Sequence, residues 1–367
     1  MTDGNTSHDL VERVATLVPG MRRNAAALDE DATFPTEDMI SLRKIGALSI
    51  PLPTDGGRRG APTELLVSLL TLIGSGNLSV GRLFEAHVNA LHLLGRYGTA
   101  SQRLAAGKAA VRGELYALWV TDPAAGALRM VPALDRWRLT GGKMFCSGAG
   151  HVAHAVVVAA TENSDRQMLI VPMGQGEHAA LLPGLLQGMR SAVTGSVDFT
   201  GVEVGHEALL GHPGDYLREP DFSCGAWRGS AVALGGLCAL LDVAIVDLRA
   251  RDHIDEPNQL ARLGNAMIAR ETSRLWVRNA ARIAEDKRAE PREAVAYVGL
   301  ARIAVESACL DVMRLMQRSL GLSAFRRGHP AERICRDLGT YLRQPAPDEV
   351  LSEAASWFAH RASHDAP

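Results

Sequence analysis

Apolar residues recur at helical spacing through the first third of the chain. Pro35, followed by Thr36 and Glu37, marks the start of a helix that ends at Gly46. Residues 63–73, closed by a glycine, and residues 80–97 predict two more helices. The pattern therefore predicts an N-terminal helical domain over residues 1–113.

The pattern changes between residues 114 and 213. Short runs rich in apolar and β-branched residues alternate here with turn residues, as in ELYALWV, RWRLTGG, AHAVVVAAT, QMLIVPM and GSVDFTGVEV. This pattern of short strands and turns predicts a small β-barrel or sheet domain over residues 114–213.

Long amphipathic patterns return over residues 214–367 and predict three or four helices, which pack most simply as a four-helix bundle. The most apolar stretch, residues 231–246, is interrupted by Asp242 and is too short to span a bilayer, so it predicts a buried helix. Helices, then strands, then a bundle give an α+β fold class. This order suggests that the β domain and the bundle hold a ligand between them.

Composition and charge narrow the function classes. Of 367 residues, 47% are apolar and 22% charged, which excludes a disordered chain. Thirty-nine basic and 41 acidic residues leave a net charge of −2, so we expect no nucleic-acid partner. The N-terminus lacks the features of a secretory signal.

The five cysteines are scattered and odd in number. None forms a C-x-x-C pair or a cluster with histidine at metal spacing, so we expect no metal site. A reducing, cytoplasmic location fits this usage. The cysteines are Cys146, Cys224, Cys238, Cys309 and Cys335.

The segment LWVTDPAAGA, from Leu118 to Ala127, leads a strand directly into a turn of small residues. Its backbone donors and the Thr121 hydroxyl are suited to a planar heteroaromatic ligand. The alternative is a tight loop in which Pro123 and Gly126 only turn the chain.

In GGKMFCSGAG, residues 141–150, Phe145 and Ser147 alternate with Cys146 and are expected to share one face of a strand. An aromatic ring and a hydroxyl on one face suit stacking on a flavin and a hydrogen bond to its N5. The alternative is a core phenylalanine beside a solvated serine.

A third singular stretch is GLSAFRRGHPAERICRD, residues 321–337. A helix is predicted to end at Gly321 and another to start at Pro330. Free backbone N–H groups beside Arg318 would suit a pyrophosphate. The alternative is a helix connection with surface ion pairs, which contribute little.

Taken in order, these segments resemble the acyl-CoA dehydrogenase family from about Thr36 to Arg343. TDPAAG resembles the family's Thr-Glu-Pro-Gly-Ala-Gly signature, and GGKMFCSGAG its Gly-x-Lys-x-Trp-Ile-Thr-Asn-Gly strand. QRSLGLSAF resembles its Gln-x-x-Gly-Gly-x-Gly-Phe loop, and HPAERICRD its Pro-x-Glu-(Arg/Lys)-x-x-Arg-Asp helix.

The resemblance implies FAD between the β domain and the bundle, and assembly into a homodimer or homotetramer. Residues 118–121 would line the pyrimidine edge of the flavin, while Phe145 and Ser147 stand where the family has Trp and Thr. Arg228 would lie near the substrate end of the flavin. The other implied cofactor contacts are Arg251 and Gln259, which match residues that reach a neighbouring subunit's FAD, and Gln317, Arg318 and Gly321.

The chain departs from the family most clearly at the catalytic base. The glutamate that removes the substrate's α-proton falls at Pro345, and the site used in some relatives falls at Trp227; neither side chain is a base. Asp348 is the nearest carboxylate that a loop could deliver. A serine that helps to seat the CoA arm is also missing after Gly126.

The sequence therefore predicts an FAD-dependent oxidoreductase that oxidises an acyl thioester, on CoA or on a carrier protein, or a related small substrate with a displaced base. The alternatives are a flavin-dependent monooxygenase on the same fold and a catalytically silent flavin- or acyl-binding relative. An electron-transfer or flavin-reductase partner would accompany the first two.

Overall fold

Helices occupy both ends of the chain and strands its middle. The computed structural model describes residues 3–50, 61–174, 179–180 and 186–362. The helices in these ranges are α1 (Asp3–Glu30), α2 (Thr36–Lys44), α3 (Thr63–Gly76), α4 (Leu78–Tyr97), α5 (Ala100–Arg112), α6 (Asp221–Cys224), α7 (Ala226–Ala250), α8 (Pro257–Glu285), α9 (Pro291–Leu320), α10 (Pro330–Tyr341) and α11 (Pro347–Ala362).

The strands form two sheets. They are β1 (Tyr116–Trp119), β2 (Arg129–Ala133), β3 (Arg136–Thr140), β4 (Gly142–Cys146), β5 (His154–Ala160), β6 (Arg166–Pro172), β7 (Ala179–Ala180), β8 (Gly195–Asp198), β9 (Glu203–Val204) and β10 (Leu209–Leu210). The larger sheet has the order β10-β6-β5-β2-β3-β9, with β1 parallel to β5, and the smaller has the order β4-β8-β7. The α+β fold class predicted from the sequence is confirmed.

Helix α7 is the central helix of the C-terminal part. The segment Asp221–Ala250 is apolar and long enough to span a membrane, but 67% of its most apolar window is buried inside the protein. It is the buried helix that the hydropathy pattern predicts. A charge pair joins the start of α7 to the end of α8, where Arg228 Nη2 lies 3.5 Å from Glu285.

Helices α3 and α7 cross with their backbones in contact. A Cβ on Gly235 would lie 2.2 Å from the carbonyl oxygen of Thr71, and a Cβ on Gly74 would lie 2.5 Å from that of Val232. Only glycine fits here, because Cβ atoms in proteins essentially never lie closer than 3.0 Å to another heavy atom. The two glycines therefore set the spacing of the two helices.

Helix α4 is bonded to β1 through a buried histidine. The Tyr116 N–H donates to Nδ1 of His87 (3.0 Å), and Nε2 of His87 donates to the Leu48 carbonyl oxygen (2.8 Å). Burial lowers the pKa of His87 to about 4, so the ring is neutral at pH 7. This bridge fixes the first strand of the β domain against the N-terminal helices.

The crossing of α3 and α7 generates a test of stability. Gly235→Ala should destabilise the protein by about 1–3 kcal/mol, because the added methyl overpacks a backbone contact. Gly107→Ala in α5 is the matched control: nothing lies within 4 Å of its Cβ position. The free energy of unfolding of the control variant should be unchanged or higher, since alanine is more favourable than glycine inside a helix. Equal urea midpoints for the two variants would contradict the close crossing.

Candidate functional site

The loop after β1 and strand β4 form one bonded unit. The Met144 N–H donates to the carbonyl oxygen of Thr121 (3.0 Å), and Trp119 Nε1 donates to that of Ser147 (3.0 Å). Thr121 is exposed, whereas Trp119 is buried. The two segments that the sequence singles out as flavin contacts are therefore neighbours, and Leu118 precedes them on β1 in a half-buried position.

A buried ion cluster holds the loop in place. Lys143, 1% exposed, donates through Nζ to Asp122 Oδ1 (2.6 Å) and to the Val120 carbonyl oxygen (3.1 Å), while Arg166 binds the other oxygen of Asp122 (2.8 Å). Burial raises the pKa of Asp122, but the hydrogen bonds from Lys143 and Arg166 outweigh it and hold that pKa below its usual value. The cluster immobilises the turn at Thr121.

A β-bulge in β4 presents Phe145 to solvent. The pairing of β4 with β8 shifts register between Lys143 and Cys146, and Phe145 has φ +55° and is 54% exposed. Ser147 lies in the turn after the strand and is buried. The prediction that Phe145 and Ser147 share a strand face is therefore wrong, because the bulge interrupts the alternation of side chains.

Ser147 forms a hydroxyl pair with Thr194. Their Oγ atoms lie 3.3 Å apart, and one of the two hydrogens remains free to donate elsewhere. The exposed ring of Phe145, the exposed Thr121 and this partly buried hydroxyl pair are all carried by β4, the turn after it and the segments bonded to them. These are the groups that a planar ring with polar nitrogens requires, so the residues present fit a flavin.

The start of α7 carries two buried donors that lack a partner among the described residues. Arg228 is 5% exposed and donates through Nη1 to Asn89 Oδ1 (2.9 Å), but its Nε is unpaired, as is Nε1 of the neighbouring Trp227. Burial lowers the pKa of Arg228. Both donors are therefore available to an acceptor that is not part of the described protein.

A cavity of about 90 Å³ lies between α4, α7, α9 and the end of α10; Ala226 and Gly229, on either side of the two donor residues along α7, line it, whereas the donor residues themselves do not. Its lining residues are Glu85, Ala226, Gly229, Ser230, Ala233, Arg302, Val305, Glu306, Tyr341, Leu342 and Gln344. Glu85 is 8% exposed and accepts hydrogen bonds from Arg82, Asn89 and Tyr341. The cavity is therefore lined by charge and hydroxyl groups as well as by small apolar residues.

The positions expected for a base lie around this cavity without supplying one. The carbonyl oxygen of Pro345 accepts a hydrogen bond from Arg302 (2.6 Å), and Trp227 is fully buried. Asp348 is exposed in the first turn of α11 and does not line the cavity. Its role as a displaced base remains a prediction that needs α11 to move.

Sequence reasoning missed Glu85. On the otherwise apolar helix α4, Arg82, Glu85 and Asn89 are spaced three and four residues apart and share one face. This polar stripe is the sequence signal for a buried polar site on α4. It is a weak signal, because a carboxylate on an amphipathic helix is ordinarily exposed.

The segment 188–194 connects the hydroxyl pair to the cavity. The Met189 N–H donates to Asp337 Oδ1 (2.6 Å), and the Gly188 N–H donates to Thr340 Oγ1 (3.1 Å), both on α10. Tyr341, which faces the cavity, follows on the same helix. The segment is therefore bonded to the helix that carries Tyr341.

The remaining predicted contacts lie at the opposite end of the bundle. Arg251 ends α7 and pairs with Asp247 (2.7 Å), and Gln259 Nε2 donates to the Ser319 carbonyl oxygen (3.5 Å). Since 23 residues separate Arg228 from Arg251 along α7, the two ends are about 35 Å apart. One copy of the chain does not bring these residues to the flavin that Phe145 would contact.

In the loop after α9, Arg318 is the group available to an anion. Its side chain is exposed and has no hydrogen-bond or ion-pair partner among the described residues. Gly321 has φ +61° and open space before it, but its N–H donates to the carbonyl oxygen of Gln317, so it is not one of the free backbone donors that the sequence predicts. Helix α9 ends at Leu320 and α10 begins at Pro330, as the sequence predicts.

No family model matches the chain. Among curated proteins, it is 25% identical over 357 residues to 3-sulfinopropanoyl-CoA desulfinase of Paraburkholderia xenovorans, covering 89% of each chain. It is 24% identical over 342 residues to the mitochondrial short-chain specific acyl-CoA dehydrogenase of Rattus norvegicus, covering 85% of this chain and 80% of the relative.

Solved structures share the fold over almost the whole chain. The FMN-bound structure of TdsC, a dibenzothiophene monooxygenase from Paenibacillus sp. A11-2, has a TM-score of 0.86 at 19% identity and covers 96% of this chain and 98% of its own. Butyryl-CoA dehydrogenase of Megasphaera elsdenii has a TM-score of 0.86 at 17% identity, and the match covers 98% of this chain and 99% of the dehydrogenase. The chain is therefore similar in sequence to acyl-CoA dehydrogenases over most of its length and shares their fold.

Proposed function

We propose that the chain is a flavin-dependent oxidoreductase that acts on a small substrate held between the β domain and the start of α7. The observation that carries the proposal is the exposed Phe145 beside the buried Ser147–Thr194 hydroxyl pair, on a loop fixed by the Lys143–Asp122 ion pair. The structure of TdsC with FMN, on the same fold, supports a flavin cofactor.

The residues of the chain have separable tasks in this proposal. The ring of Phe145 covers one face of the flavin, and the Ser147 hydroxyl donates to its central ring. The unpaired Nε of Arg228 and Nε1 of Trp227 donate to substrate or flavin oxygens. Their burial strengthens these bonds, because water is excluded from the start of α7.

Oxygenation fits the site better than α,β-dehydrogenation. Dehydrogenation needs a base for the α-proton, and Pro345 and Trp227 occupy both positions where the family places one. Glu85, the buried carboxylate nearby, already accepts hydrogen bonds from Arg82 (2.6 Å), Asn89 and Tyr341, so it is not a free base for the α-proton. A reduced flavin supplies the two electrons with which one atom of O₂ is placed on the substrate while the other leaves as water.

Dehydrogenation of an acyl thioester, on CoA or a carrier protein, is the second candidate. The likeness to short-chain acyl-CoA dehydrogenase favours it, and Asp348 would then serve as the displaced base. Either reaction requires an electron-transfer partner: a flavin reductase for oxygenation and an electron acceptor for dehydrogenation. We also propose a cytoplasmic location, in keeping with five cysteines that are all free in the structure.

A test of the reaction type uses anaerobic, flavin-loaded protein mixed with butyryl-CoA in a stopped-flow spectrometer. We expect the native flavin to stay oxidised, because no base removes the α-proton. Pro345→Glu should raise the rate of flavin bleaching by about 10²–10⁴-fold, the usual contribution of a positioned base. Native bleaching that Asp348→Asn abolishes would instead establish dehydrogenation with Asp348 as the base.

We further propose FAD rather than FMN, with its pyrophosphate held at the Arg318–Gly321 loop of a neighbouring copy. Arg318→Ala should weaken FAD binding by about 10–100-fold and leave FMN binding unchanged, because a charge-assisted hydrogen bond to phosphate is lost. Arg314→Ala, one turn earlier on α9, is the matched control, since that side chain pairs with Asp311. Fluorescence titration measures both ligands; native binding of FMN as tight as that of FAD would contradict the proposal.

The FAD proposal requires an oligomer. Helix α8 exposes apolar side chains at Leu260, Ile268 and Leu275, and the loop after α9 exposes Leu322 and Phe325. Such a surface on a helix that also packs inward indicates a subunit contact.

We therefore expect at least a dimer by light scattering at micromolar concentration. Ile268→Glu should shift the mass toward the monomer and weaken FAD binding, because a buried charge opposes association. Val111→Glu, equally exposed on α5, is the control and should change neither. A monomeric native protein that binds FAD tightly would rule out the shared site.

A further inference from the structure

Gly229 opens the cavity toward two oxygen atoms. A Cβ at this position would lie 3.5 Å from Tyr341 Oη and 3.9 Å from Glu85 Oε1, so both atoms face the space where a side chain would otherwise be. Glycine in the interior of a helix is less stable than alanine. Its presence one residue after Arg228 keeps this space open and leaves the two oxygens accessible from α7.

The existing hydrogen bonds decide what these oxygens can still do. Tyr341 donates its only hydrogen to Glu85 Oε2 (3.1 Å), and the same oxygen binds Arg82 Nη1 (2.6 Å). Glu85 Oε1 accepts from Asn89 Nδ2 (2.7 Å). Lone pairs remain on Tyr341 Oη and Glu85 Oε1, but no hydrogen, so both atoms that face Gly229 can only accept.

The protonation states support this account. Burial, followed by the nearby Glu85, raises the pKa of Tyr341 well above its usual value, so the phenol keeps its hydrogen. Arg82 offsets the charge of Glu85, and Arg343 pairs with Glu306 (2.6 Å) at the rim. Arg302 also lines the cavity, and its Nε has no partner among the described residues, so the cavity combines one cationic donor with the two acceptor oxygens.

The size of the cavity limits what enters it. Its 90 Å³ equals about three water molecules at their volume in the liquid, so it takes a group of a few heavy atoms. Ala226, Ala233 and Val305 supply apolar contacts along the walls. A purely alkyl group would make no hydrogen bond to the lone pairs that remain on Tyr341 Oη and Glu85 Oε1.

We propose that this cavity is a specificity subsite for a short substrate arm ending in a hydrogen-bond donor, a hydroxyl or an amino group, which binds Tyr341 Oη and Glu85 Oε1 in front of Gly229. The inference deepens the proposed function, because it names the chemistry of the substrate of that same site.

The test measures fragment binding by NMR to the full chain without flavin. Butan-1-ol, butan-1-amine and methyl propyl ether have the same number of heavy atoms, and the ether lacks the donor. We expect the alcohol or the amine to bind at least about 10-fold more tightly than the ether. The ether has no hydrogen to donate to the free lone pairs of Tyr341 Oη and Glu85 Oε1. Whichever of the alcohol and the amine binds more tightly shows whether the preferred donor is a hydroxyl or an ammonium group.

Gly229→Ala supplies the decisive variant. Its methyl makes only ordinary van der Waals contacts, so we expect an unchanged or higher melting temperature together with at least about 10-fold weaker binding of the preferred fragment. Gly107→Ala, where nothing lies within 4 Å, should leave fragment binding unchanged. Tyr341→Phe should remove the preference for a donor over the ether.

Three results would overturn the proposal: equal affinity for alcohol and ether, native binding strength in Gly229→Ala, or no binding of any fragment. A parallel flavin titration of the same variants keeps the two proposals separate. If the native protein does not bind flavin, the proposed flavin oxidoreductase is contradicted. If it binds flavin but does not distinguish the fragments, only the proposed subsite is contradicted.

Discussion

Helix α4 joins the three parts of the chain through polar side chains that it buries. His87 binds β1 on one side, Glu85 binds Tyr341 of α10 on another, and Asn89 binds Arg228 of α7. Each of these groups has lost its water and must find a partner inside the protein. The position of the β domain relative to the bundle is therefore set by hydrogen-bond geometry as well as by apolar packing, which alone tolerates small displacements.

Small residues determine the shape of the bundle where it meets this helix. Gly74 and Gly235 let α3 and α7 touch through their backbones, and Gly229 leaves a space beside Glu85. The first two maintain a close packing, whereas the third maintains an opening. The difference follows from what lies in front of each missing Cβ: backbone atoms in one case, two acceptor oxygens in the other.

The fold hosts different redox reactions because most of its parts position a flavin rather than perform a specific proton transfer. A buried hydroxyl, an aromatic ring and a fixed loop serve a dehydrogenase and a monooxygenase equally. The group that separates them is the base, and in this chain Pro345 and Trp227 fill its positions. We expect the absence of a carboxylate at these two positions to slow dehydrogenation without disturbing the residues that would hold the cofactor.

The sequence by itself determined the order of elements and several helix ends. Periodicity, glycines and prolines placed the start of α3, both ends of α4 and the start of α10 within two residues, because these signals act through the local backbone. It also identified Lys143, Phe145, Ser147 and Arg228 as part of segments with family-like motifs. The motifs are local, so their detection needed no knowledge of the packing.

Tertiary structure alone decided which of these residues meet. The bulge in β4 separated Phe145 from Ser147, because an extra residue in one strand shifts every side chain after it. The length of α7 placed Arg251 about 35 Å from Arg228. Glu85 became part of a cavity only through Tyr341, which lies 256 residues away in the chain. Contacts over such distances depend on how the elements pack, and no pattern along the chain records that packing.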